Sequence, residues 1–171
     1  MATPILSDAE VQRLLGLPKQ FSQQDGSRLR ARGRVKANRA FTEVLAEAQV
    51  PDGESHVTFR IYIQRHLRNP LQFAVQLIYV DGADNEYRLL RLSGRTGPHT
   101  NELERLAGTN DAKVMGRFRV NRLTERYQAS VYEEDGYAES AAGTFFDFES
   151  ALVAFCQRAG VTWPTSQQAL F

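Results

Sequence analysis

The stretch that decides the fold runs from Val57 to Leu92 and reads VTFRIYIQRHLRNPLQFAVQLIYVDGADNEYRLLRL. Apolar residues occupy every second position of its first two runs: Val57, Phe59, Ile61 and Ile63, then Phe73, Val75, Leu77 and Tyr79. A period of two is typical of β-strands that bury one face. Asn69-Pro70 and Asp81-Gly82 separate the runs with residues that favour turns. The stretch therefore predicts three successive antiparallel strands.

A helix is predicted on each side of this sheet. Ser7 and Glu10 have the spacing of a capping box at the start of a helix over residues 7–17, which Pro18 ends. Asp147 is a favourable N-cap for a second helix over residues 147–159, which Gly160 ends. Phe148, Leu152, Phe155 and Cys156 share one side of the second helix, so it is expected to lie across one face of the sheet.

The other segments are less regular. Residues 41–50 fit both a helix and a strand, and Pro51-Asp-Gly53 favours the strand because it has the composition of a hairpin turn. Residues 94–108 are expected to form a loop that ends in a helical turn, residues 113–120 a strand, and residues 124–132 either type. The predicted fold is a single α+β domain over residues 1–164. Its sheet is mainly antiparallel and twisted, with five or more strands and the C-terminal helix on one face.

Composition narrows the class of protein. With 171 residues, 42% hydrophobic and 24% charged, the chain is long enough to bury a substantial core. No apolar run approaches the ~20 residues of a membrane-spanning helix, and the N-terminus has no signal-peptide pattern, so a cytoplasmic location is expected. The single Cys156 excludes an internal disulfide and a multi-cysteine zinc site, and no cofactor or metal is predicted.

Charge is unevenly distributed along the chain. Residues 19–39 contain seven cationic residues and one acidic residue, and a strand over Arg28–Lys36 would place Arg28, Arg30, Arg32, Arg34 and Lys36 on one face. Such a face is suited to a nucleic-acid backbone, and Arg117, Arg119, Arg122 and Arg126 are candidates to extend it. Two alternatives are an edge strand whose charges prevent aggregation and pairing with the acidic residues 133–135.

The chain ends in Gln167-Gln168-Ala169-Leu170-Phe171 after a polar spacer, so residues 165–171 are predicted to form a flexible tail. The pentapeptide resembles the motif by which bacterial replication and repair proteins bind the DNA sliding clamp. That resemblance implies that Gln167 bonds at the rim of a clamp pocket that Leu170 and Phe171 fill. Gln168 departs from the Leu or Met more common at its position. The alternative is a terminus that folds back and buries both side chains on its own domain.

Histidines offer a catalytic alternative. RNA cleavage by side chains alone needs a proton acceptor, a proton donor and cations on the phosphate. His99 lies in a Gly-Pro loop and His66 lies between arginines, so either could serve as acid or base, with Arg65, Arg91 or Arg95 on the phosphate. Structural roles for these histidines are the alternative, because neither is paired in sequence with a carboxylate at a suitable spacing.

Several segments resemble a family of small bacterial proteins of unknown function. They are Ile61–Arg65, Asn69–Phe73, Leu89–Arg91 leading to Gly97–Asn101, Thr124–Gln128 and Tyr137–Glu139, and the residues from 59 to 161 are covered. The opening, Leu6–Leu15, is similar to the start of a related group. Where that family often has a pair of histidines, this chain has Arg117-Phe-Arg-Val-Asn121. The resemblance implies a fold and no established activity.

Three functions are compatible with these features. The first is an interaction protein that docks on the bacterial sliding clamp, contacts DNA through its basic face and modulates or inhibits replication. The second is a metal-independent ribonuclease of toxin type. The third is a small partner-binding module, such as an antitoxin or inhibitor, that does not contact nucleic acid.

Overall fold

A computed structural model describes residues 3–21, 34–36, 39–51, 57–133 and 136–163. Four helices are present in these residues: α1 (Asp8–Gly16), α2 (Glu102–Ala107), α3 (Glu125–Gln128) and α4 (Phe148–Ala159). The strands are β1 (Lys19–Phe21), β2 (Arg34–Lys36), β3 (Arg39–Gln49), β4 (Thr58–His66), β5 (Phe73–Val80), β6 (Glu86–Gly94), β7 (His99–Thr100), β8 (Lys113–Val114), β9 (Phe118–Arg122), β10 (Tyr137–Ser140) and β11 (Val161–Thr162). A 3₁₀ turn covers Asn110–Ala112.

One nine-stranded sheet dominates the described residues. Its order is β10-β9-β6-β5-β4-β3-β1-β11, with β2 paired to β3, and β7 and β8 form a separate two-stranded ribbon. The pairs β3–β4, β4–β5 and β5–β6 are antiparallel, while β1 and β11 are parallel. The α+β class and the three successive antiparallel strands are therefore confirmed, and residues 41–49 lie in a strand rather than a helix.

The hydrophobic core lies between this sheet and α4. Phe59, Ile61 and Ile63 of β4 are buried, and their neighbours in sequence are only partly buried. The Phe73 ring packs edge-on against the Phe148 ring of α4, with 5.6 Å between the centroids. As predicted, Asp147 caps α4 by accepting a hydrogen bond from the Ser150 amide, and Gly160 ends the helix in the left-handed region. We call the side of the sheet that α4 covers the core face.

A buried lysine joins α1 to α4. The Lys19 side chain is 0% exposed, and its ammonium donates to the carbonyl oxygens of Leu14, Leu15, Leu17 and Ala159 at 2.7–3.2 Å. It also lies 4.5 Å from the centroid of the Phe59 ring. Burial lowers the pKa of Lys19 to about 8, so the amine still carries its charge at pH 7. The contact ties the C-terminal ends of both helices together, where carbonyl groups lack helical partners.

Some local predictions need correction. The Ser7 hydroxyl accepts the Glu10 amide, but the Glu10 carboxylate bonds to Arg13 and does not complete a capping box. The segment 113–120 is divided between β8 and β9, which belong to different sheets. The segment 94–108 contains β7 and α2, and the ambiguous segment 124–132 contains the short helix α3. Among the described residues, no helix is long and apolar enough to cross a membrane.

Candidate functional site

The side of the sheet opposite α4 is lined by polar residues. Cross-strand pairing places Tyr62 opposite Gln76, Gln76 opposite Arg91, and Arg91 opposite Asn121, in one row across four strands. Residues paired directly across antiparallel strands point to the same side of the sheet. A neighbouring row contains Gln64, Ala74, Ser93 and Arg119. We call this side of the sheet the polar face.

An irregularity in β6 places two arginines side by side on the polar face. Arg91 pairs with Gln76 and Arg88 pairs with Ile78, and the register shifts between these pairs. In a regular strand, residues three apart point to opposite faces, because side chains alternate. The extra residue of the bulge restores both arginines to the same face, as bulges commonly do when they redirect side chains. Two like charges therefore lie next to each other on one strand.

β9 adds two more arginines beside this pair. Arg119 is held in place because its Nε donates to Asn121 Oδ1 at 3.1 Å and its Nη1 donates to the Gly97 carbonyl at 3.4 Å. Arg122 ends the strand, and its guanidinium lies over the Tyr137 ring, 5.0 Å from the centroid. Both side chains thus have contacts that fix their direction.

A tethered loop brings His99 to the same place. Its Nε2 lies 3.3 Å from the Gly136 carbonyl oxygen, at hydrogen-bond distance. Two residues later, Asn101 is 0% exposed, and its side chain both donates to and accepts from the backbone of Ala138 at 2.8 Å. Arg119 holds the other end of the loop at Gly97. His99 is therefore seated between two anchor points.

These residues enclose a cavity of about 150 Å³. It is lined by Arg88, Arg91, Arg119 and Arg122, together with His99, Asn121, Leu123, Glu133 and Gly136. We call it the arginine pocket. Among the described residues of the lining, four guanidinium groups and one histidine face one carboxylate, that of Glu133, so this part of the pocket carries a net positive charge and is suited to an anion.

Arg91 is the least compensated of these cations. Its Nε atom is buried and has no hydrogen-bond partner among the described residues. Burial, and then the charges of Arg88 and Arg119, lower the pKa of the Arg91 guanidinium. Two more buried and unpartnered polar atoms, Ser93 Oγ and Thr96 Oγ1, follow within five residues in the described chain. Buried polar atoms are nearly always paired in folded proteins, and of these three residues only Arg91 lines the arginine pocket.

The structure separates the residues that the histidine hypothesis grouped. His99 and Arg91 both line the arginine pocket. His66 ends β4, where its ring packs edge-on against Phe41 at 5.0 Å. Arg65 lies against α4 on the core face, over the Phe148 ring and 3.6 Å from Glu149. Arg95 occupies an exposed turn with a φ of 47° and does not line the pocket.

The other predicted binding residues lie away from the arginine pocket or outside the described residues. Arg34 and Lys36 lie in β2, which is separated from β6 by β3, β4 and β5. Arg28, Arg30 and Arg32 lie outside the described residues, as do Gln167, Leu170 and Phe171. Of the arginines suggested as extensions of the basic face, Arg126 instead pairs with Glu104.

Sequence reasoning did not assign Arg88, Asn121 or Glu133 to a site. Strict alternation along β6 would place Arg88 and Arg91 on opposite faces, so the sequence does not show that the bulge brings them to the same face. Among the described residues, no group of three or more His, Cys, Asp or Glu residues could hold a metal ion. Comparison of the chain with protein-family models, with curated proteins and with solved structures found no match.

Proposed function

We propose that the protein binds the phosphate groups of a single-stranded nucleic acid in the arginine pocket. The observation that carries this proposal is Arg91, a half-buried cation whose Nε has no partner among the described residues and whose neighbours Arg88 and Arg119 carry the same charge. A folded chain gains nothing by itself from this arrangement, because like charges repel and an unpaired buried donor is costly. A phosphate group supplies both the opposite charge and the missing acceptor oxygens.

The surroundings of the pocket favour a polymer over a lone phosphate. Tyr62 lies on the same face, two strands from Arg91, which is about 10 Å at a strand spacing of ~4.8 Å. Single-stranded nucleic acids are bound by grooves that combine cations for the backbone with aromatic rings for the bases. Arg119 extends the cationic surface onto β9, since it pairs with Ser93 on the polar face. The polar face thus offers contacts for more than one nucleotide.

Fluorescence anisotropy with labelled single-stranded RNA and DNA of one mixed sequence tests the proposal. Removing one cation that binds a phosphate should reduce the slope of log affinity against log salt by about 0.7 for a single strand. We expect Arg91→Gln to weaken binding of both oligonucleotides about tenfold or more, the cost of a charged hydrogen bond. The proposal would be refuted if the wild type bound neither oligonucleotide even at low salt.

Arg60 provides the matched control. It lies on the polar face, opposite Ile78, but its guanidinium already pairs with Glu86 and lies 3.9 Å from Glu47. Arg60→Gln should therefore leave affinity and salt dependence nearly unchanged. Equal losses in Arg60→Gln and Arg91→Gln would mean that net charge, and not the arginine pocket, controls binding.

We propose docking on the bacterial sliding clamp as a second function, and it rests on the terminal pentapeptide alone. Leu170 and Phe171 would provide two apolar anchors worth about 1.5–3 kcal/mol each. Surface plasmon resonance with purified clamp tests it, using the full chain, a chain without residues 167–171, and Thr165→Ala as a control. Binding that survives the deletion, or that is absent in the full chain, contradicts this proposal and leaves the arginine pocket unaffected.

A further inference from the structure

We infer that the arginine pocket cleaves RNA, with Glu133 as the general base and His99 as the general acid. This inference rests on the proposed function, because the scissile phosphate must first occupy the pocket. It goes beyond binding because the pocket holds both a carboxylate and an imidazole beside the guanidinium groups. Proton transfer by positioned side chains needs one acceptor and one donor, and a carboxylate and an imidazole can fill these two roles.

The lining of the pocket indicates where the nucleophile comes from. Among the described residues that line the cavity, none is a Ser, Thr or Cys that could attack phosphorus. RNA carries its own nucleophile, the 2′-hydroxyl, next to the phosphate that it attacks. An intramolecular nucleophile has a large advantage over water, because no separate molecule has to be positioned. RNA is therefore the substrate class, and DNA is a ligand that stays intact.

Positive charge in the pocket suits the transition state of this reaction. As the 2′-oxygen approaches, negative charge builds up on the phosphate oxygens. Arg91 is partly desolvated, and Arg119 is held by Asn121 and by the Gly97 carbonyl, so their charges are in place before the reaction starts. Preorganised charges are more effective than mobile ones, since they need no rearrangement when the charge develops.

The tethered loop gives His99 a defined position. The hydrogen bond between Nε2 and the Gly136 carbonyl oxygen, 3.3 Å apart, orients the imidazole ring. Asn101 holds the loop against β10 through Ala138, and Gly97 accepts from Arg119. An imidazole held at both ends of its loop is suited to deliver a proton to one fixed point.

The reaction balances without a further reactant. The Glu133 carboxylate takes the proton of the 2′-hydroxyl, and the 2′-oxygen forms a bond to phosphorus. The bond between phosphorus and the 5′-oxygen breaks, and the His99 imidazolium gives its proton to that leaving oxygen. The products are a 2′,3′-cyclic phosphate and a 5′-hydroxyl, with no change in oxidation state. Exchange of protons with solvent then restores both side chains.

The test uses the full-length protein, an end-labelled single-stranded RNA and the DNA of the same sequence, in buffer with EDTA. We expect RNA to be cut to products with a 2′,3′-cyclic phosphate, and DNA to be bound and left intact. His99→Gln and Glu133→Gln should each slow cleavage by about 100-fold or more, while RNA affinity changes little. Compared with the wild type, Glu133→Gln should lack the acidic limb of the pH–rate profile and His99→Gln should lack the basic limb.

Two substitutions of the same chemical type serve as controls. His66→Gln changes a histidine that packs on Phe41, and Glu149→Gln changes a carboxylate near Arg65 on the core face. Both should cleave RNA like the wild type. Thermal melts of the four variants identify any loss of folding, and Gln at position 99 can still donate to the Gly136 carbonyl.

The outcomes separate the inference from the function on which it rests. RNA that binds through Arg91 but is not cut overturns the inference and leaves the proposed function standing. RNA and DNA that both fail to bind overturn both. Cleavage that is equal in the wild type, His99→Gln and Glu133→Gln, or that needs an added divalent cation, also overturns the inference.

Discussion

Replacing Arg91 by Met should stabilise the free protein and weaken binding of nucleic acid about tenfold or more. Met has a straight chain that can retain the packing of the arginine stem, and it removes both the charge and the unpaired Nε. A buried donor without a partner costs about 1–3 kcal/mol, and each like-charge neighbour on an adjacent position costs about 0.2–1 kcal/mol. Because Arg91 is only half-buried, we expect a gain near the lower end, about 1–2 kcal/mol.

That gain corresponds to a rise in Tm of roughly 2–8 °C for a chain of this size. Differential scanning fluorimetry without ligand measures it, and urea denaturation gives the free energy of unfolding. With a single-stranded oligonucleotide added, the wild type should gain more thermal stability than the variant, because the gain depends on the affinity of the folded state for the ligand. The variant should thus have the higher Tm without ligand, and the wild type the higher Tm with ligand.

Arg60→Met is the control for this prediction. It removes a cation from the same face, but one that pairs with Glu86 and lies near Glu47, so stability should stay the same or fall by about 0.5 kcal/mol. A fall in Tm for Arg91→Met that equals or exceeds the fall for Arg60→Met would show that Arg91 serves the fold. The case for a ligand site would then lose its main support.

Three further predictions concern the fold. Lys19→Met should lower the free energy of unfolding by about 3 kcal/mol in urea, because four carbonyl groups, two of them in buried hydrogen bonds, lose a charged donor. An unchanged midpoint would contradict this. Gly160→Ala should lower it by about 1–3 kcal/mol, because φ is +62° and the added Cβ would lie 2.5 Å from the Leu17 carbonyl oxygen; a stabilised variant would rule out this conformation. Burial raises the pKa of Cys156 from 9.0 to about 11. Alkylation of the folded protein at pH 8 should therefore be about 100-fold slower than alkylation of the unfolded chain, and it should accelerate as the pH rises towards 11. Equal rates in both states would show that the thiol is accessible and its pKa unperturbed.

Local pattern was sufficient for the main elements of the fold. The alternation in Val57–Leu92 predicted the three central strands, because a strand with one buried face needs apolar side chains at every second residue. Asp147 and Gly160 predicted the limits of α4, because capping depends on backbone geometry within one turn. Short elements such as β7, β8 and α3 were harder to predict, because contacts with distant parts of the chain hold their residues in place.

The arginine pocket depended on tertiary structure. Sequence analysis singled out Arg91 and His99, but it grouped them with His66 and Arg65, which the fold places elsewhere. One reason is the β6 bulge, whose extra residue reverses the alternation on which strand reading depends.

The second reason is that residues far apart in sequence meet only when strands pair. Arg91 lies opposite Asn121 because β6 and β9 are neighbours in the sheet, and His99 reaches Gly136 because Asn101 fastens its loop to β10. The sequence by itself determined the central strands and the two long helices, since these depend on nearby residues. Only the tertiary structure decided which charges share a pocket, since that depends on strand order and register.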